Sequence, residues 1–162
     1  MIARSAAIDE LKLCHSEKYI NHVKKFCEDG GGYLDADTYT NEYSYEAAVI
    51  AVGGLIDLVK QVIDGKLKNG FALLRPPGHH AERDRAMGFC FYNNIAVGAL
   101  HALQQHGLAQ AERRHAVRGI GRGQVRGDAD EILKHGSSEG PGPCRLARPA
   151  TDLAEIPMIR MI

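Results

Sequence analysis

The chain of 162 residues has no tryptophan, no net formal charge, no pair of cysteines spaced Cys-x-x-Cys, and no aromatic residue after Tyr92. Each absence removes a class of function. Without a surplus of basic residues there is no electrostatic footprint for nucleic acid or an anionic membrane surface. Scattered cysteines (Cys14, Cys27, Cys90 and Cys144) exclude a zinc ribbon and fit free thiols in a reducing compartment. No apolar run approaches the roughly 18 residues that a spanning helix needs. Met1-Ile2-Ala3-Arg4-Ser5 has no apolar signal core, which points away from secretion and toward a cytoplasmic or nuclear protein.

What is present divides near residue 110. Up to Gln110 there are seven Lys and four Arg; beyond it there are one Lys and eight Arg, with Gly119, Gly121, Gly123 and Gly127 crowded among Arg118, Arg122 and Arg126. The expected organisation is therefore a domain over residues 1–110 and a divergent tail over 111–162. That tail reads as disordered or as translated out of frame. Five arginines between residues 111 and 126 also permit phosphate contact, the rival reading of the tail.

Within the first part, spacing predicts three helices. Residues 17–28 carry Tyr19, Ile20, Val23, Phe26 and Cys27 on one face, with Ser16 placed to cap. Residues 45–63, with a start as early as Ser44, carry Ala48, Ala51, Val52, Leu55, Ile56, Val59, Val62 and Ile63. Gly53-Gly54 weaken that helix and imply a backbone packed close against it. A third helix runs from Asn93 or Asn94 to His106. The run Gly70-Phe71-Ala72-Leu73-Leu74 fits a buried strand of a parallel sheet. Residues 33–43 read as a surface loop, and no further strand is legible after Gln110. The fold class is α/β.

The loop 76–93 follows the carboxyl end of that strand, where open α/β sheets bind ligands. It holds His79 and His80, neighbouring imidazoles suited to proton transfer near neutral pH. As bare residues they could equally be surface or capping histidines. Phe89 and Phe91 could be core aromatics, Cys90 a small buried hydrophobe, and Asp35 and Asp37 solvated carboxylates. His101 and His106 read as surface residues, His15 and His22 as structural ones.

Arg75-Pro76-Pro77-Gly78-His79-His80-Ala81-Glu82, followed by Met87-Gly88-Phe89-Cys90-Phe91-Tyr92-Asn93-Asn94, resembles the active-site segment of histone deacetylases, class II or bacterial in type. His15-Ser16-Glu17-Lys18-Tyr19-Ile20 and Leu34-Asp35-Ala36-Asp37-Thr38-Tyr39 extend the resemblance over about residues 6–110. It implies part of an arginase/deacetylase-like parallel-sheet fold, lacking the later strands. It implies hydrolysis of N-acetyl-lysine in a protein, or of a small acetylated amine, by zinc-activated water. By resemblance His80 is general base and then acid, and His79 supports the oxyanion. Phe89 would wall the lysine tunnel, Gly88 would admit the substrate amide, and Asp37, or failing that Asp35, would grip the substrate backbone. The family's zinc ligands follow this helix in an Asp-x-Asp-x-His-His strand that this sequence lacks. His115, Asp128, Asp130 and His135 are present but are not assigned that role. A catalytically inactive remnant without metal ligands is the alternative.

Overall fold

The computed structural model describes residues 3–106 and 159–161. In chain order the elements are α1 (Ile8–Leu11), α2 (Glu17–Glu28), β1 (Gly32–Asp35), β2 (Thr38–Thr40), α3 (Ser44–Ile63), β3 (Gly70–Ala72), α4 (Asn94–His106) and β4 (Ile159–Met161). The expected boundary near residue 110 and the reading of the tail lie outside the described residues, apart from 159–161.

The three expected helices form where periodicity placed them. The Ser16 hydroxyl accepts from the Tyr19 amide at 3.2 Å, satisfying a donor that the first turn of α2 leaves unpaired. Tyr19, Ile20, Val23 and Cys27 then turn inward. On α3 the predicted apolar set is buried apart from Ile63, which is half-buried. The glycine pair on α3 has the expected cause at Gly53. A methyl group there would collide with the Arg4 carbonyl, because the segment before α1 lies directly on the helix. Ala6 donates its amide to the Val49 carbonyl at 2.9 Å, and Arg4 bridges Glu10 at 2.7 Å and Asp57 at 3.0 Å. Gly65, at φ +71°, ends the α3 turn in a conformation glycine adopts without strain.

Two cores result. The larger gathers Leu11, Ile20, Val23, Val52, Ile56, Tyr92 and Val97 with their neighbours, joining α2, α3 and the start of α4. The smaller places Ala72 of β3 against Leu55, Leu58 and Val59 of α3 and Ala102 of α4. Fully burying one such aliphatic side chain is worth roughly 1.5–3 kcal/mol, so the larger cluster dominates the cohesion of the described part.

Four expectations need correction. Residues 33–43 are not all loop: β1 and β2 pair antiparallel, Tyr33 opposite Tyr39, with an irregularity between Tyr33 and Asp35. Thr38 and Thr40 are buried on the inner face while Tyr33 and Tyr39 stand outside. The strand at 70–74 is shorter than expected and covered on one face only. Ala72 points into α3, whereas Phe71 and Leu73 are exposed, because successive side chains alternate. A second parallel strand does exist: Ile159–Met161 pairs with Gly70–Ala72 in register. Three residues with an arginine at the centre carry too little pattern to be read as a strand. His101 is not a surface residue; it is half-buried, 3.5 Å from Glu10.

Candidate functional site

The loop between β3 and α4 is held to the start of α4 by two asparagine side chains. Asn94 Nδ2 donates to the Pro76 carbonyl at 3.2 Å, and Asn93 Nδ2 donates to the Ala81 carbonyl at 3.1 Å. These two carbonyls bracket Pro77-Gly78-His79-His80. Gly78 presses onto the backbone of Tyr92 and Asn94 so closely that any Cβ would collide there. Asn93 also caps α4, its Oδ1 accepting from the Ala96 amide at 3.1 Å.

The imidazoles of His79 and His80 are in contact, with centroids 4.2 Å apart and planes tilted by 51°. His79 is exposed and His80 half-buried. Partial burial pushes the His79 pKa down, and the neighbouring His80 adds to the depression. A ring that resists protonation keeps a lone pair available near neutral pH.

A tight turn covers this pair. Met87 and Cys90 exchange both backbone hydrogen bonds, at 3.1 and 3.0 Å. Between them Gly88 (φ +59°) and Phe89 (φ +64°) both take positive φ, the signature of a type I′ turn. Glycine does so freely. Phenylalanine does not, and such strain collects at functional sites. Two bonds to the rim hairpin hold the turn: Gly88 donates its amide to Asp37 Oδ1 at 3.1 Å, and Phe89 to Thr38 Oγ1 at 3.1 Å. A Cβ on Gly88 would lie 2.6 Å from His80 Cδ2, so the bare α-carbon is what lets the turn sit against the imidazole.

The structure therefore brings Asp37, Gly88, Phe89 and His80 into one constellation, with His79 beside His80. Asp35 faces elsewhere. Its carboxylate is held below the ordinary range first by the Ala36 amide and further by Arg85, which it meets at 3.2 Å. The Phe89 ring is exposed, while Phe91 and Cys90 are buried. Thr38 was not singled out from the sequence, since a hydroxyl in a polar tyrosine-rich stretch carries no distinguishing signal.

A second group lies behind the loop. His15 is buried; its Nδ1 is 3.0 Å from the Arg83 carbonyl, and its Nε2 accepts from the Asn93 amide at 2.9 Å. Tyr19 donates its hydroxyl to the Phe91 carbonyl at 2.8 Å, and Ser16 donates to Asp84. Burial raises the Tyr19 and Tyr92 pKa values well above the usual phenol range. Among the described residues no three His, Cys, Asp or Glu side chains converge to hold a metal ion. His115, Asp128, Asp130 and His135 lie outside the described residues.

The comparisons with known proteins agree with one another. The family model for the histone deacetylase domain matches residues 1–111. Histone deacetylase 4 of Caenorhabditis elegans is 43% identical over 131 residues, covering 68% of this chain and 15% of that protein. Histone deacetylase 15 of Arabidopsis thaliana is 46% identical over 100 residues, covering 62% of this chain and 18% of its own length. Polyamine deacetylase HDAC10 of Homo sapiens is 42% identical over 113 residues, covering 65% and 17%. The crystal structure of the HDA15 HD domain superposes with a TM-score of 0.62 at 44% identity, over 64% of this chain and 30% of that one. The chain thus spans 15 to 18% of the length of these three relatives. No helix among the described residues is long and apolar enough to cross a membrane.

Proposed function

Because the chain belongs to the histone deacetylase family, we propose that residues 1–111 carry the acid–base and substrate-rim part of a deacetylase centre. The substrate is N-acetyl-lysine in a protein or a small acetylated amine. One observation carries the reading: the turn at Gly88 joins the rim carboxylate to the imidazole. The Gly88 amide is bonded to Asp37 while its α-carbon lies against His80. Asp37 is assigned the grip on the substrate backbone. Phe89 presents a flat apolar face to the lysine methylenes, and Gly88 leaves room for the substrate amide. His80 exchanges the proton at the reacting centre, with His79 beside it supporting the developing negative charge.

Zinc, which the family uses to activate water, does not fit the described residues, because no donor set converges among them. The chemistry assigned to the described residues is therefore substrate grip, proton exchange at His80 and support of the developing charge at His79. The same observation favours a second reading, in which the segment binds an acetylated amine without turning it over.

Acetate release by the full chain supplied with zinc and an acetyl-lysine peptide separates the two. Release that disappears in His80→Ala supports turnover. Binding of the acetylated peptide without release supports the second reading. Absence of both refutes the site.

A further inference from the structure

We infer that His15 is the positioning residue for the His79–His80 pair, acting through Asn93. The inference rests on the proposed function only in taking those two imidazoles as the site; its test reads their position and needs no turnover.

The chemistry at His15 permits one arrangement. A backbone amide can only donate and a carbonyl can only accept. With Asn93 N–H aimed at Nε2 and the Arg83 carbonyl at Nδ1, the proton must sit on Nδ1 and the ring must be neutral. Burial lies on the same side, since desolvation is the largest influence on the ring and opposes its charge. Tyr19 and Tyr92 pack against the ring, with centroids 5.5 and 5.3 Å away.

Asn93 is where this constraint reaches the site. Its backbone amide is fixed by His15, its Oδ1 caps α4, and its Nδ2 holds the carbonyl of Ala81, the residue after His80. All three groups belong to one residue, so a displaced Asn93 backbone displaces the Ala81 anchor. The companion anchor at Pro76 comes from Asn94, the next residue in the chain. His15 thus holds the point from which both ends of the Pro77–His80 turn are suspended. A histidine that merely fills space would stabilise the fold without steering His80.

The experiment follows His80 by NMR in the full chain, through its ring signals and its contact to the Gly88 α-protons. His15→Leu removes both hydrogen bonds, while His15→Gln keeps an acceptor within reach of the Asn93 amide. Asn93→Ser keeps the helix cap through its hydroxyl but cannot reach Ala81. The expected results are a shifted His80 ring and a weakened Gly88 contact in His15→Leu and in Asn93→Ser, with recovery in His15→Gln. Exchange of the residue-93 amide should quicken by at least ~10-fold in His15→Leu. The double variant should displace His80 by less than the sum of the two single variants, since both act through the Ala81 anchor. An unshifted His80 in Asn93→Ser overturns the inference even where His15→Leu does not fold. Additive displacement in the double variant overturns it as well.

Discussion

Mild acid should loosen this protein through a single buried ring. Burial lowers the His15 pKa from 6.5 to about 4, opposed by the Arg83 and Glu82 carbonyls and by Asp84. Between those values the unfolded chain binds a proton at His15 that the folded chain refuses. Stability is therefore complete above pH 6.5 and declines as pH falls toward 4. At 1.36 kcal/mol per unit the whole effect is about 3 kcal/mol, with roughly half lost by pH 5.5. That is a large share of the 5–15 kcal/mol typical of a domain. The His79 ring contributes with the same sign but is mostly exposed, so solvent screens it. The assay is urea denaturation of the wild type and His15→Gln at pH 7, 5.5 and 4.5, since glutamine does not titrate. The stability advantage of the wild type should shrink by about 2.5 kcal/mol between pH 7 and pH 4.5. Parallel pH profiles for the two proteins would refute the reasoning, because the acid sensitivity would then arise elsewhere.

Three further outcomes follow from the turn and the cap. Gly88→Ala places a methyl group against His80 at positive φ and should cost about 1–2 kcal/mol, read by denaturation together with a displaced His80 ring signal; an unmoved ring counts against the contact. Phe89→Asn relieves a strained αL phenylalanine whose ring is largely exposed. It should raise stability by about 1 kcal/mol while weakening binding of acetylated peptide, and a loss of stability contradicts the strain argument. Ser16→Ala removes both the α2 cap and the bond to Asp84. It should cost about 1–2 kcal/mol by calorimetry, and a change below ~0.3 kcal/mol shows the cap to be idle.

The helices were legible because burial on one face of a 3.6-residue period leaves a mark in composition. Ser16 and Gly53 each stood for a backbone event the structure contains: a cap and a close approach. The strands were harder. β1 and β2 span four and three residues, too short for alternation to stand out. Their buried side chains, Thr38 and Thr40, are polar, so the inner face does not look apolar. β4 pairs with a segment nearly ninety residues earlier, and a partner at that distance has no local signature. At the site the imidazole pair and the Gly88-Phe89 turn were readable as a motif. The preference for Asp37 over Asp35 came from the resemblance alone, because the distinction is not legible in the residues themselves. It depends on which carboxylate the hairpin turns toward the Gly88 amide, a matter of strand register rather than residue type. His15 was read as structural, and its link to Asn93 spans 78 positions that only the fold brings together.

The most direct measurement is an NMR titration of the full chain with an acetyl-lysine peptide and its unacetylated counterpart. The acetylated peptide should perturb the Gly88 amide and the His80 ring together, and the unacetylated one should leave His80 unmoved. Equal responses to both peptides, or no response at either position, would contradict the assignment of this constellation to an acetylated amine.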